Sequence, residues 1–114
     1  MDYSSLSSKL KDFSHIRDWD QFHNTKDLAM ALSIESGELL ELFLWQDISE
    51  LDSLLVKKRE KIEDEVADIF LYLVRFCQKA DIDLEAVSLR KLEKNAKKYP
   101  AELVKGQKKK YDEY

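Results

Sequence analysis

Cysteine, proline and glycine are nearly missing from this chain of 114 residues, which has one, one and two of them. A single cysteine, Cys77, permits no intrachain disulfide and no thiolate zinc cluster. So little glycine and proline leaves a β-sandwich or barrel without the turn residues it needs. Positive charge is not in excess either. Nineteen basic residues against 23 acidic ones give a net charge of −4, which argues against a nucleic-acid polymer as partner, because its phosphates call for a basic surface. No apolar run approaches the roughly 20 residues of a bilayer span, and no signal-peptide pattern opens the chain. The expectation is therefore no membrane partner and a cytoplasmic location.

What remains is 44% hydrophobic and 37% charged, too apolar for a disordered tail. Abundant Leu, Glu and Lys with few breakers point to long helices and short connections. The expected fold is all-α, a four-helix bundle-like chain, with residues 1–114 forming one domain.

Leu6, Leu10 and Phe13 recur at helical spacing and predict a first helix over about 4–16. Arg17 to Thr25 breaks the period and carries Trp19, Phe22 and His23. Asn24 or Thr25 is a suitable cap for a second helix from about Lys26 to Gln46, with Asp27 in its first turn. Leu28, Ala31, Leu32, Leu39 and Leu42 form that helix's apolar stripe. A polar connection over 47–53, capped by Asp52 or Ser53, leads into a third helix over Leu54 to Lys79. Ile62, Ile69, Tyr72, Leu73 and Phe76 mark its buried side. Asp83 caps a fourth helix ending near Tyr99-Pro100. The tail from about Ala101 is Lys-rich and reads as a solvated end.

Against this pattern, several carboxylates fall on faces that should be apolar. Leu28, Leu39 and Leu42 lie within about 40° of Glu35 on a helical projection, and Glu38 is about 60° away. Glu65 and Asp68 share a sector with Ile62, Ile69 and Tyr72. Two like charges 5 Å apart cost roughly 3 kcal/mol at an effective dielectric near 20, so four such acids across a helix seam call for a cation. Oxygen-only donors suit Mg²⁺ or Mn²⁺. The plainer reading pairs these acids with Lys or Arg, or leaves them in water at the edge of the stripe. Glu35 and Asp68 have no basic residue four positions away, whereas Glu65 follows Lys61. A di-iron carboxylate site needs Glu-x-x-His pairs, and His15 and His23 both precede the acids. Gly37, between Glu35 and Glu38, would permit close approach of another backbone or a ligand.

The segment Ile34-Glu35-Ser36-Gly37-Glu38-Leu39-Leu40-Glu41-Leu42, followed later by Glu65-Val66-Ala67-Asp68, resembles the ExxE…ExxD signature of the MazG-like all-α nucleoside triphosphate pyrophosphohydrolases. Arg17-Asp18-Trp19-Asp20-Gln21-Phe22-His23 and Leu42-Phe43-Leu44-Trp45-Gln46 resemble the dCTP pyrophosphatase branch more closely. Similarity continues through Asp68–Leu73 and Lys91–Asn95 to Tyr99-Pro100.

The resemblance implies that Glu35, Glu38, Glu65 and Asp68 ligate Mg²⁺. It implies cleavage of a nucleoside triphosphate, dCTP or a related nucleotide, between the α- and β-phosphates, in a homodimer or homotetramer. Glu38 or Glu41 would act as general base. Trp19, Gln21, Phe22, His23, Trp45 and Tyr72 would line the nucleoside pocket. On the fourth helix Lys91, Asn95 and Lys98 share one flank beside the Leu92–Tyr99 stripe, placed either to reach the triphosphate or base edge of a neighbouring subunit's site or to form a solvated basic flank. Leu10 departs from the branch, where a polar base-contacting residue is expected. A broad-specificity pyrophosphatase and a non-catalytic helical dimerisation module are the competing readings.

Overall fold

The computed structural model describes residues 1–106. Among them there are helices and turns but no strand, as the sparse turn residues require. The six helices are α1 (Tyr3–Ile16), α2 (Thr25–Phe43), α3 (Leu51–Lys57), α4 (Arg59–Ala80), α5 (Leu84–Lys98) and α6 (Ala101–Val104). Short 3-10 turns, Asp20–Phe22 and Ile48–Glu50, precede α2 and α3. The described residues divide into two compact units, Met1–Asp81 and a second that starts at Ile82.

In the first unit, α2 and α4 form the main pairing, and α1 and α3 also pack on α4. Local chemistry sets the helix starts. Asp2 accepts the Ser5 amide at 3.0 Å, and Asn24 accepts the Asp27 amide at 2.8 Å. Each satisfies one of the N–H groups that a helix start leaves without an internal partner. Between α1 and α2 the backbone turns through Asp18, which is left-handed at φ 56°. Aspartate tolerates that region better than most residues. Gln21 Nε2 holds the turn by donating to the Asp18 carbonyl at 3.2 Å and to its carboxylate at 2.9 Å.

The expected third helix is two helices. Asp47 caps a 3-10 turn through the Ser49 amide at 3.0 Å, α3 follows from Leu51, and the path breaks at Lys58 (φ −110°, ψ 23°) before α4. Helix α4 ends on Asp81 in the left-handed conformation.

Leu28, Leu54, Ile62, Val74 and Cys77 are the buried apolar residues. Ala31, Leu32, Leu39 and Leu42 are half-buried, whereas Met30, Ile34, Leu40, Leu44 and Val66 are exposed. The first unit therefore has a thin core and a largely uncovered apolar surface on its two central helices.

The second unit begins at Ile82. Asp83 accepts the Ala86 amide at 3.1 Å and so caps α5, as expected. Helix α5 closes on Tyr99, ahead of Pro100. Much of the Lys-rich tail, from residue 107, lies outside the described residues.

Candidate active site

Three of the four singled-out acids converge. One carboxylate oxygen each from Glu35, Glu38 and Glu65 lies within 4.8 Å of the others. Glu35 and Glu38 stand one turn apart on α2, and Glu65 reaches them from α4, so the seam between the two main helices forms the cluster. Glu65 is only 3% exposed. Its Oε1 meets Lys61 Nζ at 3.0 Å, while Oε2 has no hydrogen-bond partner among the described residues. A buried carboxylate oxygen without a partner is costly.

The protonation pattern reflects this crowding. Burial pushes the Glu35 carboxyl up to about 7, and the carboxyls of Glu65 and Glu38 add to the shift. Glu65 moves the other way, held below its ordinary value chiefly by the hydrogen bond from Lys61, against the effect of burial. Oxygens on opposite sides of an octahedral Mg²⁺ stand about 4.2 Å apart. Adjacent ones stand about 3 Å apart, so three oxygens within 4.8 Å of one another close onto a shared hard cation through side-chain movement. The orphaned Glu65 oxygen and the all-oxygen donor set fit such an ion.

Asp68 is exposed and stands outside this three-acid cluster. It follows Glu65 by one turn on α4 and lines a cleft of about 240 Å³ with Leu10, Phe13, Ser14, Trp19, His23, Leu71, Tyr72 and Arg75. Glu65, Asp68, Tyr72 and Arg75 are spaced by three, four and three residues, which puts them along one side of α4. That side links the carboxylate cluster to the cleft.

The cleft's aromatic wall combines Phe13 of α1 and Tyr72 of α4 with Trp19 and His23 from the segment between α1 and α2. Trp19 meets Phe13 edge-on at 5.6 Å, and His23 meets Trp19 at 6.4 Å. Arg17 lies over the Phe13 ring at 3.7 Å, a cation–π contact.

Other singled-out residues lie elsewhere. Gln21 is used in the Asp18 turn. Phe22 and Trp45 are 66% and 87% exposed and do not line the cleft, and Glu41 is exposed on α2. Lys91 and Asn95 border a shallow hollow on α5 with Val87, Ser88 and Leu92. A Cβ added at Gly37 would meet nothing within 4 Å, so packing within the chain does not require the glycine.

Arg75 is the residue that periodicity alone missed. It is 4% exposed and donates from Nε to His23 Nδ1 at 2.9 Å, from Nη1 to Gln78 Oε1 at 2.9 Å, and from Nη2 to Asp20. Gln78 continues the network to Ser7 at 2.8 Å. Burial works against ionisation of Asp20, but His15 and the Arg75 guanidinium still hold its carboxyl below the usual value. No local pattern marks Arg75, because its partners Asp20 and His23 are 55 and 52 residues away in sequence.

Fold and site together define an all-helical protein with a seam of carboxylates suited to a hard cation, set beside an aromatic cleft. The chain belongs to the MazG-like family, which matches residues 30–114. It is 36% identical over 104 residues to human (Homo sapiens) dCTP pyrophosphatase 1, covering 90% of this chain and 61% of that protein. It is 37% identical over 102 residues to dCTP pyrophosphatase 1 of Bos taurus, covering 88% and 60%. The chain thus spans about three-fifths of the length of these relatives. A crystal structure of a pyrophosphatase from Archaeoglobus fulgidus superposes with a TM-score of 0.81 at 38% identity, covering 85% of this chain and 91% of that one.

Proposed function

We propose that the chain is a Mg²⁺-dependent nucleoside triphosphate pyrophosphohydrolase. It cleaves dCTP or a related nucleotide between the α- and β-phosphates and releases a nucleoside monophosphate and pyrophosphate. The observation that carries this reading is the convergence of Glu35, Glu38 and Glu65, with a buried Glu65 oxygen lacking a partner. The pyrophosphatase names of its relatives support it.

In this reading Glu35, Glu38 and Glu65 hold the cation, and Asp68, one turn further along α4, completes the set. A bound hard cation, Mg²⁺ or Mn²⁺, supplies positive charge for the triphosphate and acidifies water. Glu38 is the exposed member of the cluster, which leaves it access to solvent, so it or Glu41 takes the proton from the attacking water. That water adds to the α-phosphorus as the bond to the bridging oxygen breaks, and pyrophosphate leaves with that oxygen. Trp19, His23 and Tyr72 hold the nucleoside in the cleft, where an aromatic face contributes roughly 1–3 kcal/mol per stacked base. Lys91 and Asn95 are assigned to the substrate of a neighbouring copy.

The working form is a homodimer or homotetramer, with residues 1–114 acting as one domain. The uncovered apolar residues of α2 and α4, Ile34 at 59% exposure among them, support assembly, because patches of this kind mark interfaces. Removal of unwanted nucleotides from the precursor pool is a cytoplasmic role. Leu10 in the cleft wall leaves the preference among bases to experiment.

Pyrophosphate release across a panel of nucleotides, with Mg²⁺ and with chelator, tests the proposal. Turnover is expected with Mg²⁺, fastest for dCTP or a close analogue. Glu38→Gln should lose turnover while keeping its unfolding temperature. Full activity in that variant contradicts the assignment, and a flat nucleotide profile removes the dCTP preference.

A further inference from the structure

We infer that Arg75 is a positioning residue: its guanidinium locks His23 in the neutral Nε2–H tautomer, so that His23 offers the cleft a hydrogen-bond donor for an acceptor atom of the nucleoside. The inference rests on the nucleotide reading above and concerns residues outside the carboxylate cluster.

Arg75 Nε donates to His23 Nδ1 over 2.9 Å. A guanidinium has only donors, so Nδ1 must be the acceptor and carries no proton. A neutral imidazole then bears its single proton on Nε2. Imidazolium is excluded by the same contact, since it would set two N–H donors against each other. Consistently, burial and then the charge of Arg75 depress the His23 pKa.

Geometry also limits what else the ring can do. Among the described residues no hydrogen bond uses His23 Nε2, and the ring lines the cleft with Trp19. Arg75 is itself fixed on its other sides by Asp20 and Gln78, and Gln78 by Ser7. A planar fork held at three partners has little freedom to release the ring. Most of the remaining cleft wall is apolar or aromatic, which makes a fixed N–H there a determinant of how the nucleoside is oriented. The groups facing His23 are cationic Arg75 and Lys79 and anionic Asp20.

Long-range ¹H–¹⁵N spectra of the whole chain without metal or nucleotide read the tautomer directly. The expected pattern is a protonated Nε2 and a bare Nδ1 for His23 near neutral pH; a protonated Nδ1 or an averaged ring overturns the inference. Arg75→Lys keeps a cation but loses the fork, and should leave the ring averaging between tautomers.

His23→Asn separates positioning from packing, because its amide oxygen can still accept from Arg75 while its NH2 takes the place of ring Cδ2 and stops short of the Nε2–H position. Its unfolding temperature should stay within about 2 °C of the parent, while KM for the nucleotide rises roughly tenfold and kcat changes less. An unchanged KM contradicts the inference. Calorimetric titration with a non-hydrolysable dCTP analogue separates it from the hydrolytic reading. His23-dependent binding without turnover supports this inference and overturns only hydrolysis, whereas no binding overturns both.

Discussion

Lys61 Nζ sits 3.0 Å from Glu65 Oε1, one turn before it on α4, and gives the most buried carboxylate of the cluster its one cationic partner among the described residues. The hydrogen bond to Glu65 is also the main cause of the upward shift of the Lys61 amine. This lysine stands in part for the cation that the cluster fits. Lys61→Met should destabilise the metal-free protein above neutral pH. It should also tighten Mg²⁺ binding by about tenfold, since a competing positive charge is removed from the site. Calorimetric Mg²⁺ titration with paired thermal melts checks both effects.

The carboxyl of Glu35 makes metal-free stability fall as pH rises. Its pKa is raised by burial and by neighbouring carboxylates from 4.5 to about 7. A raised acid favours the fold fully below its unfolded value and loses that advantage as pH climbs through the folded one. In chelator, the unfolding temperature of the parent should drop relative to Glu35→Gln by about 5 °C between roughly pH 5 and 8. Adding Mg²⁺ at the upper pH should reverse the drop in the parent and not in Glu35→Gln. Parallel curves for the two proteins in chelator would contradict the assignment of Glu35 to the cluster.

Most of the helices and their caps are legible in the sequence because they rest on local chemistry. Asn24 and Asp83 act within three residues of themselves, and the apolar stripe of α2 follows from spacing alone. The break at Lys58 is not legible, since neither glycine nor proline marks it. Asp47 starts the next helical stretch early through its own Ser49 turn, six residues before the later of the two expected caps. Of the site, the acids are visible as polar residues on apolar faces. Arg75 is not, because a long charged side chain defaults to the surface and its partners His23 and Asp20 stand 52 and 55 residues away.

Trp19 is part of the aromatic wall of the cleft and is itself held edge-on by Phe13 at 5.6 Å. Trp19→Ala should raise KM for the nucleotide about ten- to a hundredfold. The carboxylate cluster is built without it, so Mg²⁺ affinity in the absence of nucleotide should be nearly unchanged. An unaltered KM would place the nucleoside elsewhere.

Ile34 is 59% exposed on α2, one residue before Glu35. In a dimer or tetramer built on this face, Ile34→Glu buries a charge in the interface. The variant should shift toward monomer in size-exclusion light scattering and lose stability. A monomeric parent would contradict assembly.

The bond that is broken in the nucleotide decides the proposed function. Phosphorus NMR of dCTP incubated with the purified chain and Mg²⁺ distinguishes the outcomes in one sample. Equal growth of dCMP and pyrophosphate signals, halted by chelator and by Glu38→Gln, is the predicted result. Orthophosphate appearing with dCDP, or dCTP that persists with Mg²⁺ present, would contradict it.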